Sequence, residues 1–143
     1  MADRYVLDAS VLLKWFFTFE AEATLASRVK SDVDRKRIKA YIPRYAVIEI
    51  SNALSQHTLY KGSPSQIVAE LRTIVLKSRL KQKRLRDKDL ERALHLVSGH
   101  GIALYDAMYV ALAEKLHAKY LTADYKASTR LRMRSDIVEL RTY

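Results

Sequence analysis

The chain has 143 residues, 49% of them hydrophobic, and a formal charge of +10 from 26 Lys and Arg against 16 Asp and Glu. That length suits one compact domain, residues 1–143, with an adequate core, and the charge favours polyanionic partners. The absence of cysteine excludes disulfide frameworks, thiolate zinc sites and cysteine nucleophiles.

The opening "MADRYVLDASVLLKWFF" lacks the order of a signal peptide, because acids precede the apolar run and Lys14 interrupts it. No uncharged apolar run reaches the roughly 18 residues needed to span a bilayer. The expectation is a soluble cytoplasmic protein without a membrane partner. "YVL", residues 5–7, reads as a short buried strand that runs out at Asp8, and "SVLLKWFF" as a helical turn or two with Ser10 as its N-cap. A polar helix follows in "EAEATLASRVKSDVDRKR", with Leu25, Val29 and Val33 inward. "KAYIP" is a second strand, closed by Pro43, and residues 45–59 form a helix with Val47, Ile50 and Leu54 in a stripe.

Gly62 breaks the chain, Ser63 is a candidate cap, and Pro64 opens a helix that buries Ile67, Leu71, Ile74 and Val75. "RLKQKRLRD" reads equally as a short strand or an extended connection. "DKDLERALHLVSGHG" is a helix with Leu90, Ala93, Leu94 and Val97 inward and Gly101 as C-cap. "LYDAMYVALAEKL" is another, with Leu104, Ala107, Met108, Ala111 and Leu112 on one face. "KYLTAD" gives a third strand ending at Asp124, and "DIVEL" an edge strand. Short strands alternating with longer helices predict an α/β fold, a three-layer α/β/α sandwich around a mostly parallel sheet.

In such sheets ligands bind beyond the carboxyl ends of the strands. Asp8 and Asp124 end strands, Asp106 opens the helix that leads into the latter strand, and Glu49 lies one turn into the helix after "YIP". Taken singly, each has a plainer role: Asp8 and Asp106 as helix caps, Asp124 as a turn residue, Glu49 as an exposed helical acid. Taken together, converging carboxylates repel one another, and oxygen-preferring Mg2+ or Mn2+ relieves that repulsion. A basic chain with a local acidic pocket fits phosphodiester hydrolysis.

The segments "YVLDASVLLKWF", "PRYAVIEISNAL" and "GIALYDAMYVALAEKLHAKYLTAD", in this order and over nearly the whole chain, resemble the PIN-domain family, and within it the toxins of VapBC-type toxin–antitoxin modules. The resemblance implies a Mg2+- or Mn2+-dependent ribonuclease, homodimeric and inhibited by a small antitoxin that covers the active site. It implies Asp8, Glu49, Asp106 and Asp124 as the acidic set. Asp8, Asp106 and Asp124 would be metal ligands, and Glu49 would serve as general base or hold a metal water. Ser10, and less directly Thr122, would support the site through hydroxyl hydrogen bonds. After Asp124 comes "YKASTRLRM", without the further acid of many relatives, so one-metal and two-metal schemes both stay open.

The basic run over residues 77–88, including Lys81, Lys83, Arg84 and Arg86, is either an RNA track or a solvated connection. A second cluster, Arg130, Arg132 and Arg134, follows Asp124. Trp15, Phe16, Phe17 and Phe19 are too dense to be all core, which points some of them at a partner. His57, His95, His100 and His117 show no metal-ligand spacing. Two rivals stand beside the nuclease: a non-catalytic basic nucleic-acid-binding module, and an aspartyl-phosphate domain, against which Ser10 occupies the position where a second acid is wanted.

Overall fold

Burial on both faces is what marks the central strands. In β1 (Asp3–Leu7) the consecutive residues Tyr5, Val6 and Leu7 are all buried, so side chains pointing to opposite faces both meet packed layers. The computed structural model describes residues 1–131 and 136–143, so Arg132 and Arg134 of the second basic cluster lie outside the described residues. β2 (Ile38–Pro43), β3 (Lys81–Lys83), β4 (Lys119–Thr122) and β5 (Ile137–Glu139) complete a five-stranded sheet of order β3-β2-β1-β4-β5. Every pairing is parallel; Val6 lies opposite Tyr41 of β2 and Tyr120 of β4.

Helices α1 (Ala9–Leu13) and α2 (Ala23–Asp34) connect β1 to β2, and α3 (Ala46–Gln56) and α4 (Pro64–Leu71) connect β2 to β3. After α5 (Asp87–His100) and α6 (Leu104–Leu116) comes β4, and α7 (Tyr125–Arg130) leads on towards β5. The chain leaves β1 towards one side of the sheet and β4 towards the other, so right-handed crossovers put α5 and α6 on the face opposite α2. The expected α/β/α sandwich is therefore present, with its topological switch point between the central strands β1 and β4. Among the described residues no single helix is long and apolar enough to cross a membrane.

Several local expectations change. Asp8, not Ser10, is the N-cap of α1, because its carboxylate already accepts from the Ser10 amide. The helix from Pro64 stays α-helical only to Leu71, and residues Arg72–Leu76 continue as a π-helical turn. The ambiguous "RLKQKRLRD" segment contains the short edge strand β3. Strand β4 ends at Thr122, and Asp124 caps the short helix α7, which the periodicity of so few residues does not reveal.

In α5 the inner face is rotated: Leu90 and Leu94 are exposed, whereas Asp89, Ala93 and Leu96 are buried. On that face Asp89 accepts from the Arg86 amide (2.8 Å) and pairs with Lys115 of α6 (3.0 Å), which offsets the cost of burying its carboxylate. In α6 the apolar stripe gives way to burial nearly all round, with Tyr109 and Val110 inside as fully as Ala107, while Leu104 is 38% exposed. The helix lies between the sheet and α5, so both of its sides meet packed neighbours. Of the dense aromatics, Trp15 and Phe17 are buried and Phe16 packs against the core, which leaves only Phe19 strongly exposed.

Candidate active site

The switch point gathers the four predicted acids. Asp8 follows β1 directly, Asp124 stands two residues beyond β4, and Glu49 and Asp106 lie in the first turns of α3 and α6. Their mutual influence is electrostatic and appears in the pKa directions of Asp106 and Glu49. Asp106 is pushed up to about 6, first by desolvation, then by the charges of Asp8, Asp124 and Glu49; Arg130 partly opposes the rise. Glu49 is also raised, by burial foremost and by Asp8, against a lowering hydrogen bond from Tyr109. Asp8 is raised because it is desolvated, although several hydrogen bonds work the other way.

Asp8 is held by a two-armed network. The Ser10 hydroxyl donates to Asp8 Oδ2 and accepts from the Ala123 amide (2.9 Å). The Thr122 hydroxyl, fully buried, donates to the same Oδ2 (3.1 Å) and accepts from the Asp124 amide (3.0 Å). A longer contact from the Ser10 amide (3.4 Å) adds to Oδ2. Thus the end of β4 fixes the end of β1 through two hydroxyls, and Thr122 is as direct a partner of Asp8 as Ser10 is.

The other carboxylates are held more loosely. Asp124 Oδ1 accepts from the Lys126 amide (3.1 Å) and the Ala127 amide (3.3 Å) as the N-cap of α7. Glu49 Oε1 accepts from the Tyr109 hydroxyl (2.8 Å). Asp106 accepts no hydrogen bond from any described residue, so the helix start at Ala103 does not depend on it as a cap. No described residue donates to Asp8 Oδ1, Asp124 Oδ2 or Glu49 Oε2 within hydrogen-bonding geometry. Each of these three acids therefore commits one oxygen to described residues and keeps the other free of any described donor.

Beside Asp8 the Tyr120 hydroxyl is completely buried; its hydrogen-bonding pull helps lower the Asp8 pKa, though no described residue meets it at full hydrogen-bond geometry. An unpaired buried hydroxyl costs about 1–3 kcal/mol. Its position next to uncommitted carboxylate oxygens fits a centre that brings ordered water. The donor set is all oxygen, which suits a hard divalent cation. Among the described residues no three His, Cys, Asp or Glu side chains stand close enough to enclose an ion by themselves. That spacing fits a small cation that keeps several waters and takes one or two carboxylates.

The predicted basic residues fall in two places. Arg130 acts on Asp106 and so lies near the acids. Lys83, Arg84 and Arg86 line, with Asp87 and Lys115, an open cleft of about 770 Å³ that shares no residue with the acidic site. Lys81 and Lys83 place their ammonium groups 5.9 and 5.6 Å from the Tyr41 ring centre. Tyr109 and Tyr120 were missed as site residues by sequence reasoning. The available signal was Tyr109 three residues after Asp106, one helical turn along the same face.

A model of the family described as PIN domain matches residues 5–130, from β1 to the end of α7. No curated protein matches the sequence. Among solved structures the chain is similar to PAE2754 from Pyrobaculum aerophilum, with 23% identity and a TM-score of 0.67 over 99% of this chain and 94% of that one. It is similar to VapC20 of Mycobacterium tuberculosis, described as a sarcin-ricin loop cleaving toxin (15% identity, TM-score 0.67, 87% and 94% covered). It is also similar to DNA-bound VapBC from Salmonella typhimurium (13% identity, TM-score 0.70, 98% and 99% covered). With a family model running through Asp8, Glu49, Asp106 and Asp124 on a fold shared with these structures, this chain belongs to the PIN domain family.

Proposed function

We propose that residues 1–143 form one PIN domain that hydrolyses RNA phosphodiester bonds as a Mg2+- or Mn2+-dependent endoribonuclease, the cytoplasmic and homodimeric toxin of a toxin–antitoxin pair. The observation that carries this reading is the convergence of Asp8, Glu49, Asp106 and Asp124, from four separate segments, within one electrostatic neighbourhood of a chain of charge +10. Without a cation such a cluster would repel phosphate. With one it becomes a phosphate site, to which the surrounding basic surface draws a polyanion.

Asp8, Asp106 and Asp124 would hold the cation, one or two of them directly and the rest through its waters, by oxygens that no described residue engages. When bound, the cation supplies charge neutralisation at the phosphoryl oxygens and lowers the pKa of water. Glu49 would hold a water of the cation's shell and accept a proton from the attacking water, and burial raises its pKa, which strengthens it as a base. Ser10 and Thr122 keep Asp8 from turning away. Ile48 and Tyr105, adjacent to Glu49 and Asp106, are 71% and 60% exposed and give the site an apolar rim suited to a covering antitoxin or to unstacked bases.

The test is incubation of the purified chain with structured RNA, with Mg2+ or Mn2+ and with chelator. Cleavage is expected only with the cation, and Asp106→Asn or Asp8→Asn should reduce it by at least about 100-fold while the circular dichroism spectrum is kept. Cleavage at the parent rate by either folded variant would sink the scheme. RNA binding without cation binding or cleavage would establish the non-catalytic basic module instead. Inhibition by the small protein encoded beside this chain's reading frame tests the antitoxin, and sedimentation tests the homodimer.

A further inference from the structure

Three tyrosine rings sit against the acids, and their hydroxyls have different fates. Tyr45 donates to the Tyr105 carbonyl (3.0 Å), Tyr120 meets no described residue at full hydrogen-bond geometry, and Tyr109 donates to Glu49 Oε1 (2.8 Å). The Tyr109 ring is fully buried, stacked on Tyr120 with centres 5.9 Å apart and edge-on to Tyr45 at 5.6 Å. Packing on both sides leaves that ring one orientation, so its hydroxyl is a fixed point. Glu49, by contrast, is only half-buried on the first turn of α3, on a long side chain with no other donor among the described residues.

We propose that Tyr109 is a positioning residue that holds Glu49 by Oε1 and so turns Oε2 towards the site, an inference that rests on the metal-nuclease reading above. The arrangement makes α6 the carrier of two functions. Asp106 presents its own carboxylate, and Tyr109, one turn later, sets the carboxylate of a different helix. The hydrogen bond thereby ties α3 to α6 across the mouth of the switch point. The same geometry explains a buried Tyr in a place where Phe would fill the space equally well.

The test compares Tyr109→Phe, Tyr45→Phe, Glu49→Ala and the double variant Tyr109→Phe/Glu49→Ala by calorimetric Mn2+ titration, with circular dichroism to verify the fold. Loss of an orienting partner weakens metal affinity by about 10–100-fold. Tyr109→Phe is expected at the lower end, about 10-fold, and less than about twofold further loss is expected when it is added to Glu49→Ala. Tyr45→Phe, which loses a hydroxyl bound to backbone, is expected to leave affinity within about twofold. Parent affinity in Tyr109→Phe, an equal loss in the Glu49→Ala background, or an equal loss in Tyr45→Phe would overturn the proposal. Absence of Mn2+ binding by the parent chain would overturn the metal reading itself, and this inference with it.

Discussion

Raising the pH of the cation-free protein from 4.5 to 6.5 should lower its stability, against the usual trend of acid denaturation. Asp106 ionises at about 6 in the fold, against an ordinary value of 3.8. Between those values the folded chain holds more protons than the unfolded one, so the slope of stability with pH is negative. The stabilisation is complete below the unfolded value and is lost as pH rises through about 6. A shift of about two units corresponds to about 3 kcal/mol, which solvent screening of a half-buried group reduces to about 1–2 kcal/mol. For a chain of this size that is roughly 3–10 °C in the unfolding midpoint. Asp8 and Glu49 are raised too and add in the same direction. Asp32, lowered by the Tyr143 hydroxyl and by Arg37, loses its contribution only below 3.8, outside this window.

The assay is scanning calorimetry of chelator-treated protein at pH 4.5, 5.5 and 6.5, with and without Mn2+, beside the Asp106→Asn variant. The midpoint should fall with pH in the parent, fall less in the variant, and recover when Mn2+ binds the folded state. A midpoint that rises across the window in the parent, identically in Asp106→Asn, would refute the reasoning.

Two further outcomes follow from single contacts. Thr122→Val keeps the shape but removes the donor to Asp8 Oδ2 and the acceptor of the Asp124 amide, so denaturant unfolding should show a loss of about 1–3 kcal/mol that Thr122→Ser largely restores. If the cleft lined by Lys83 and Arg84 tracks RNA, Lys83→Gln and Arg84→Gln in an Asp106→Asn background should each flatten the salt dependence of binding by about 0.7, read by fluorescence anisotropy. An unchanged slope would make the run a solvated connection.

How far the sequence could be read depended on whether the information was local. Strands buried on both faces, a proline at a helix start and acids just past strand ends are local signals, so the layer order and the four acids were legible. The inner face of α5 was not, because the buried Asp89 on it meets Lys115, 26 residues away in the chain, a contact that the apolar spacing of Leu90 and Leu94 does not register. Thr122 was undervalued for the same reason: its partner Asp8 lies 114 residues away in the chain but on the neighbouring strand. Tyr109 falls outside the apolar face read for this helix, and nothing in a helical repeat says that its hydroxyl meets Glu49.

Whether such acids are caps or chemistry is settled atom by atom. Asp8 caps α1 with Oδ2, and Asp124 caps α7 with Oδ1. A cap needs one oxygen, and a helix N-terminus favours the negative charge that a cation also requires. Capping therefore lowers the cost of keeping several carboxylates ionised together, because backbone amides and hydroxyls stabilise each charge before any ion arrives. Asp106 lacks that support, and its carboxyl is pushed up to about 6, by desolvation first and then by its acidic neighbours. Capping and the proposed cation-holding role are compatible: the hydrogen bonds that start α1 and α7 engage one oxygen of Asp8 and one of Asp124, and no described residue engages the second oxygen of either.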